Sequence, residues 1–391
     1  MEKKPKKAPG AWKQYPLLLV FLLIGGVCGV LMVGRIEELS RAGKTPEEVA
    51  LFVAAAFVSL YAVCFLQVIL HEAGHLLFGL LTGYRFSSFR VGSLMWIRRD
   101  GRIRLRRFSL AGTGGQCLMI PPEEKGGDFP YVLYNLGGAL VNLIVAGVFA
   151  ALSFWCRHTE LLFLLCMEMA VIGAAYGLIN GIPLRLGAVD NDGYNALSLG
   201  KSREARRAFW LQLKINEQIA RGVRLRDMPD EWFETPEAEA MKNSLVAAMG
   251  VFACNRMMDA MEFARADQAM EKLMEQDTGL VGLYRNLMTM DRIYCELVGE
   301  NRPEQREQLM DKRLKKGMKS VKSANNNPSV LRTQYAYALL AEGDAEKAGR
   351  IQTAFDAVAG RYPHPGEIEG ERELMAYAAE RARGLQGKDT L

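Results

Sequence analysis

The residues best suited to chemistry lie in HEAGH, residues 71 to 75, inside a long aliphatic run. His71 and His75 are four positions apart, so a helix places both imidazoles on one face, where they can bind one metal ion. Glu72, beside them, is placed to accept a proton from water. Zinc favours such nitrogen ligands and keeps one position open when the site is catalytic. The pattern therefore predicts a hydrolytic Zn²⁺ site with one ion.

Chance matches to this five-residue pattern are common, but the setting argues against chance. The chain has four histidines, and two of them lie in this segment. Ionisable side chains within an apolar span are costly and usually functional.

A third ligand has to come from elsewhere in the chain. The stretch NGIPLRLGAVDNDG, after the last apolar run, contains Asp190 and Asp192. Carboxylates just beyond a helix end are also common as turn formers. Spacing alone leaves the third ligand open between these two residues.

Four apolar segments are long enough to cross a bilayer as helices, since a span needs about 20 residues. They are Tyr15–Gly34, Ala50–Leu81, Tyr131–Trp155 and Leu161–Ile182. The second is longer than one perpendicular span, so it has to tilt, break or protrude. Charged residues dominate after about residue 200, which predicts a membrane half followed by a soluble half.

Lysine and arginine cluster before the first span and between the second and third spans. Because such residues stay on the cytoplasmic side, we expect a multi-pass protein of a bacterial cytoplasmic membrane with both termini in the cytoplasm. The seven cysteines are scattered and form no CxxC pair. A disulfide framework is therefore not expected.

The segment between the second and third spans alternates apolar and basic residues around Asp100-Gly101, as β-hairpins do. It predicts a hairpin from about Ser88 to Phe108. An edge strand there is a candidate docking site for an extended peptide; the alternative is a basic surface resting on anionic lipid. Candidates for its buried face are Val91, Met95, Ile97, Ile103 and Leu105.

The soluble half shows a helical pattern with turn-like breaks at 264–267, 298–301 and 341–344. The segment YALLAEGDAEKAGRI resembles a tetratricopeptide unit, whose period is about 34 residues. An array of α-hairpins, which offers a concave binding surface, is the predicted architecture. A plain helical bundle is the alternative.

Three motifs, in this order, resemble the site-2 protease family of intramembrane zinc metalloproteases. HEAGH matches the family's H-E-x-x-H helix, LGGALVNLIVA (136–146) is similar to its small-residue span, and NGIPLRLGAVDNDG resembles its Asn-x-x-Pro stretch followed by Asp-Gly. The resemblance covers roughly residues 60–195 and implies that Asp192 is the third zinc ligand. Asn191 stands where the family often has leucine, which keeps Asp190 as an alternative.

Asn142 lies within the third span, on the pattern of the family's downstream asparagine. A lone asparagine in a span is often a contact between helices. If Asn142 faces the metal, its amide is placed to hold the substrate backbone or the developing oxyanion. The resemblance favours this second, catalytic role.

The sequence thus predicts an α-helical membrane protein with about four transmembrane helices, a small β-hairpin or re-entrant segment, and an all-α soluble domain. The expected domains are a basic cytoplasmic N-terminus (1–14), a transmembrane metalloprotease domain (15–199) and a cytoplasmic tetratricopeptide-like domain (200–391).

The expected activity is zinc-dependent hydrolysis of peptide bonds in or near membrane-spanning segments. His71, His75 and Asp192 hold the metal, and Glu72 is the general base. Expected partners are the bilayer, a membrane-protein substrate such as an anti-sigma factor or a signal-peptide remnant, and a protein bound to the C-terminal domain; no nucleic-acid partner is expected. The alternatives are a catalytically silent scaffold and, because Glu168 lies in the fourth span, a metal transporter.

Overall fold

The computed structural model describes residues 15–108, 113–185, 190–310 and 327–386. It is mostly helical, with one four-stranded antiparallel sheet. The basic segment 1–14 lies outside the described residues.

Two compact units divide the chain. The N-terminal unit contains residues up to 84, 114–117 and 130–198; the C-terminal unit contains 85–113, 118–129 and the residues from 199 onward. The expected domain boundary at 199/200 stays a prediction; in this division the segments 85–113 and 118–129 group with the C-terminal helices.

The helices that carry the HEAGH motif and its surroundings are long. They are α1 (Tyr15–Arg41), α2 (Pro46–Leu81), α3 (Val132–Trp155), α4 (Glu160–Gly181) and the short α5 (Asp192–Lys201). The start of α2 is fixed by a capping box, in which Thr45 and Glu48 satisfy each other's backbone N–H groups, with Pro46 in the first turn. α2 is one continuous helix of 36 residues, about 54 Å long at 1.5 Å per residue.

Among the described residues, α2, α3 and α4 are long and apolar enough to cross a membrane. Their polar side chains point inward: Gln67 and Asn142 are fully buried. Their outer faces expose large apolar residues, among them Phe57, Tyr61, Phe65, Ile144, Val148, Phe154 and Trp155. This distribution is the one expected of helices whose solvent is lipid. The first predicted span lies in α1, and its crossing of a membrane stays a prediction.

The sheet contains β1 (Arg85–Val91), β2 (Leu94–Arg99), β3 (Arg102–Arg107) and β4 (Gly115–Ile120), in the order β3-β2-β1-β4. The predicted hairpin is formed by β2 and β3, but it begins at Leu94 rather than Ser88: residues 88–91, expected in its first strand, lie in β1, which pairs with β2. Its two-residue turn is Asp100-Gly101, both with positive φ (51° and 73°), as the favoured hairpin turn requires.

The expected buried face of the hairpin is wrong at two positions. Met95 and Ile97 are buried against Ala220 and Phe108, but Ile103 and Leu105 are exposed. The register is the reason: Leu105 is opposite Trp96 and Ile103 is opposite Arg98. Opposed residues share a face, so a two-residue turn places Ile103 and Leu105 on the face away from Met95 and Ile97.

The described part of the C-terminal half after residue 201 is helical, as expected. Its helices are α6 (Arg203–Arg221), α7 (Ser244–Asp259), α8 (Phe263–Glu275), α9 (Gly282–Val298), α10 (Pro303–Leu309), α11 (Pro328–Tyr337), α12 (Ala345–Ala359) and α13 (Pro365–Gln386). A core that includes Leu331, Ile351 and Phe355 joins α11 to α12, and Ile368 and Met375 of α13 complete it.

Two of the three predicted turns are confirmed. α9 ends at Val298, and Gly343 (φ 65°) separates α11 and its π-helical extension from α12. The turn expected at 264–267 is wrong, because those residues lie in α8. The break comes earlier, at Ala260–Glu262, where Met261 has a positive φ of 59°.

Candidate metal centre

Two helices bring three potential ligands together. His71 and His75 project from one face of α2, and Asp192 is the first residue of α5. Among the described residues, these three form a group whose ligand atoms all lie within 4.8 Å of one another. The histidines are 9% and 8% exposed, so the site is enclosed by protein.

The second ring nitrogen of each histidine has a backbone or amide acceptor. His71 Nδ1 lies 2.8 Å from Asn142 Oδ1, and His75 Nδ1 lies 2.7 Å from the Tyr134 carbonyl oxygen. An oxygen of either kind accepts, so each Nδ1 carries hydrogen and donates. When the imidazole is neutral, this arrangement leaves Nε2 unprotonated, the form in which histidine binds a metal.

The three free electron pairs converge on one point. The two Nε2 atoms are 3.2 Å apart, and Asp192 Oδ2 lies 3.0 Å from that of His71 and 3.4 Å from that of His75. Three acceptors this close repel one another unless a proton or a metal cation lies between them. Ligand atoms about 2.0–2.2 Å from a tetrahedral zinc are about 3.3–3.6 Å apart, close to the observed spacing. The residues fit a metal ion.

Asp190, the alternative ligand, is held elsewhere. Its Oδ1 lies 3.5 Å from Nε of Arg185, and the two residues form a backbone bridge. It is not a member of the ligand group. The geometry therefore favours Asp192 over Asp190.

Asn191, which the sequence presented only as a departure from the family pattern, positions Asp192. Its Oδ1 accepts from the backbone N–H groups of Leu184 and Tyr194, at 3.0 and 2.9 Å. Its Nδ2 donates to the carbonyl oxygens of Ile179 and Ile182, both at 2.6 Å. One buried amide thus ties the end of α4 to the start of α5 and fixes the direction of the next residue.

Asn142 is engaged on all sides. Its Oδ1 accepts from His71, and its Nδ2 donates to Gln67 Oε1 at 2.7 Å and to the Gln67 carbonyl at 3.1 Å. Gln67 Nε2 donates in turn to the Met169 carbonyl at 3.1 Å. The amide therefore orients His71 in this structure, and its expected contact with substrate stays a prediction.

Gln67 is the residue that sequence reasoning missed. It lies one turn before His71 on α2, and one glutamine in an apolar helix does not reveal which neighbour it contacts. The sequence did offer one clue: in the apolar run 65–81, Gln67 is the one polar residue besides those of HEAGH. Through Gln67 and Asn142, the His71 ring is connected to α3 and α4 as well as to its own helix.

Replacing Gln67 with leucine is expected to weaken metal affinity by about 10–100-fold, the usual effect of losing an outer hydrogen-bond partner. Without the Gln67 oxygen, the Asn142 amide is free to rotate and no longer presents Oδ1 to His71. Competition with a chromophoric chelator measures the change. Asn216→Leu is the matched control, because Asn216 Nδ2 donates to the Gln212 carbonyl of its own helix, outside the three motifs. Equal affinities in the two variants would contradict the role of Gln67.

Small residues allow the helix backbones and the ligands to come this close. A Cβ built on Gly138 would lie 2.5–2.7 Å from three atoms of the His71 ring, and a Cβ on Gly74 would overlap the Gly137 carbonyl group. Both overlaps are too close for any real side chain. Gly138, in the small-residue span 136–146, therefore lies directly against the His71 imidazole, where no side chain fits.

Glu72 has the β4 backbone beside it. A Cβ on Gly115 would overlap the Glu72 carboxylate and lie 2.8 Å from its Cδ. β4 is an edge of the sheet, since its described strand neighbour is β1 alone. The lack of a side chain at Gly115 thus lets β4 itself run directly against the Glu72 carboxylate.

Glu168 lies outside this group. It is 7% exposed in α4 and hydrogen bonds Ser59 of α2, while its Oε2 has no hydrogen-bond partner among the described residues. Its position is that of a contact between helices.

No protein-family model, no curated protein and no solved structure matches this chain.

Proposed function

We propose that this chain is a membrane-embedded zinc endopeptidase. The observation that carries the proposal is the convergence of His71 Nε2, His75 Nε2 and Asp192 Oδ2 within an apolar helix bundle. Two imidazoles and one carboxylate are a ligand set of catalytic zinc, which leaves a fourth position for water or substrate. The resemblance of three motifs to the site-2 protease family supports the same assignment.

Zinc at such a site lowers the pKa of a coordinated water towards about 7 and polarises a carbonyl group. Glu72 follows His71 directly on α2, so its carboxylate is near the place where that water is held. There it accepts the proton of the attacking water and passes it to the departing amine. A site with a purely structural metal has no need of this carboxylate.

The bilayer explains the substrate class that we propose, a membrane-spanning segment of another protein. Such a segment is helical, and its scissile carbonyl is accessible only when the helix is locally extended. β4 is the outer strand of the described sheet on the side of Glu72, and an outer strand is where an extended peptide can add by main-chain hydrogen bonds. Anti-sigma factors and signal-peptide remnants are candidates of this class.

The positive-inside distribution of lysine and arginine supports a cytoplasmic location for both termini and for cleavage at the cytoplasmic face of the bilayer. In this arrangement the C-terminal helices lie in the cytoplasm, where they are available to bind a protein partner.

The direct test is zinc content. Wild type purified in detergent is expected to contain one zinc per chain, and Asp192→Asn is expected to lose most of it, because a neutral amide is a poor replacement for a carboxylate ligand. Asp190→Asn is the matched control and is expected to retain one zinc, since Asp190 faces Arg185. Elemental analysis of the three proteins gives the result.

Two outcomes would overturn this assignment. Full zinc in Asp192→Asn with loss in Asp190→Asn would exchange the roles of the two aspartates. If the wild-type protein binds no zinc and leaves a panel of single-span membrane proteins uncleaved, the protease assignment is wrong and the catalytically silent scaffold is favoured.

If the assignment is correct, we expect 1,10-phenanthroline to inhibit cleavage and added zinc to restore it.

A further inference from the structure

The C-terminal unit contains a cavity of about 220 Å³ that is partly open to solvent. Its walls come from the end of α6 and from α7, α9, α11 and α13. Ligand sites are concave and carry a few converging polar groups; at this volume the guest is small. The cavity lies far along the chain from the HEAGH motif, and the chemistry proposed above makes no use of it.

Arg332 forms one side of the cavity and is 1% exposed. Its Nη2 donates to Asp291 Oδ1 at 2.5 Å, and its Nε donates to Glu371 Oε2 at 2.9 Å. Its Nη1 donates to the Thr333 hydroxyl at 3.0 Å, so each nitrogen of the guanidinium group has a partner. Arg332 therefore has a protein partner on every nitrogen, and two of these partners are carboxylates that neutralise its charge.

A second arginine is paired with carboxylates in the same way. Arg224 donates from Nε and Nη2 to Asp259, at 3.1 and 2.6 Å, and from Nη1 to Glu373 at 2.5 Å. Both positive groups of the lining are thus neutralised by carboxylates of the protein itself.

Glu367 is the carboxylate of the lining that forms no ion pair with either of its two arginines. The lining contains four carboxylates and two guanidinium groups, and Glu367 pairs with the Tyr362 hydroxyl rather than with an arginine. Burial raises the pKa of Glu367 to about 7, an effect to which Asp259 adds. Burial also raises the pKa of Asp291 and of Glu371, although Arg332 opposes it. The cavity is short of positive charge.

Two neutral polar side chains on the wall also lack partners. The Tyr284 hydroxyl and the Asn255 side-chain amide line the cavity, and neither has a hydrogen-bond partner among the residues that the structure describes. Because the cavity is partly open to solvent, water can reach these two groups, and both are available to hydrogen bond a guest that displaces it.

We propose that this cavity binds a small organic cation with a guanidinium or ammonium group, about the size of an arginine side chain. The cation pairs with the Glu367 carboxylate, and Tyr284 and Asn255 hydrogen bond to its polar atoms. The same chemistry is offered by a free amino acid or amine and by a basic side chain of a polypeptide. The site is independent of the proposed peptidase activity and does not require it.

Isothermal titration of the full-length protein in detergent tests the proposal with two nearly isosteric probes, L-arginine and L-citrulline. The cationic L-arginine is expected to bind at least tenfold more tightly than the neutral L-citrulline. Arginine blocked at both ends as amides is the third probe. Binding of the blocked form as tightly as the free amino acid identifies a polypeptide side chain as the source, and binding of the free form alone identifies a small molecule.

Glu367→Gln is expected to reduce L-arginine affinity at least tenfold and to remove the preference over L-citrulline. Glu369→Gln, two residues further along α13 and exposed, is the matched control and is expected to bind as wild type does. Tyr284→Phe, expected to weaken binding about fivefold, serves if Glu367→Gln does not fold. Equal binding of the two probes, no heat from either at millimolar concentration, or equal affinity in the two glutamate variants would overturn the proposal.

Discussion

Replacing Glu72 with glutamine is expected to leave one zinc per chain and to reduce the rate of peptide hydrolysis by about 10²–10⁴-fold, the usual contribution of a positioned general base. Glutamine keeps the shape of the side chain beside Gly115 but accepts no proton at neutral pH. Neither His71 nor His75 loses its hydrogen bond, because those bonds go to Asn142 and to the Tyr134 carbonyl. Metal binding and catalysis are therefore expected to separate in this variant.

The measurement is a pair of assays on the same preparation, zinc by elemental analysis and cleavage of a single-span membrane protein by mass spectrometry. Glu168→Gln provides the control, since Glu168 is also a buried glutamate of an apolar helix but contacts Ser59 rather than the ligand group. A Glu72→Gln protein that cleaves at the wild-type rate would assign the base to another group. Loss of zinc together with activity would instead give Glu72 a role in metal binding.

The helices and the ligand pair could be predicted because both depend on local patterns. Apolar runs of about 20 residues fix the helices, and three predicted spans match α2, α3 and α4 to within a few residues. His71 and His75 follow from a spacing of four on one helix face. Such signals need no knowledge of the partner elements.

Spacing limited the third ligand to Asp190 or Asp192 but could not decide between them. Which of the two side chains faces the histidines depends on the local backbone turn, and the Asn191 amide fixes that turn through four hydrogen bonds to α4, α5 and the segment between them. These are tertiary contacts, which a local sequence pattern does not show. The family resemblance indicated Asp192, and the geometry agrees with that choice.

The hairpin shows a different limit. Its turn was predictable, because Asp-Gly is suited to two consecutive positive φ values. The assignment of Ile103 and Leu105 to the buried face was wrong, since alternation gives two faces and does not say which one α6 covers. The pairing of Trp96 with Leu105 settles the face only once the register is known.

Gly138→Ala is expected to weaken zinc affinity by at least 10–100-fold and to lower the free energy of unfolding by about 1–3 kcal/mol, the usual cost of overpacking. The added methyl group would lie 2.5–2.7 Å from Cε1, Nδ1 and Nε2 of His71. The imidazole cannot yield easily, because its Nδ1 is held by Asn142. Tilting the ring moves Nε2 away from the other two ligand atoms. Gly138→Ala is thus expected to weaken zinc binding although no metal ligand is replaced.

Zinc affinity by chelator competition and thermal unfolding of the apo protein separate the two effects. Gly147→Ala, on the same helix, is the matched control, because a Cβ there meets nothing within 4 Å. Its slightly higher helix propensity is expected to leave stability unchanged or to raise it. A wild-type zinc affinity in Gly138→Ala would contradict the prediction, because it would mean that the His71 ring can move away from the added methyl group without loss of metal binding.

Gly74→Ala is expected to disturb the contact between the backbones of α2 and α3 rather than a ligand side chain. Its methyl group would overlap the Gly137 carbonyl group, and a Cβ on Gly137 would lie 2.6 Å from the Gly74 carbonyl oxygen. Two backbones in contact cannot make room by changing a rotamer, so α2 and α3 have to separate. Close approach of small residues is a main source of helix association in lipid. We therefore expect Gly74→Ala to unfold at a lower temperature than Gly138→Ala and to lose zinc as a consequence. A higher unfolding temperature for Gly74→Ala than for Gly138→Ala would mean that the Gly74–Gly137 contact does not hold α2 against α3.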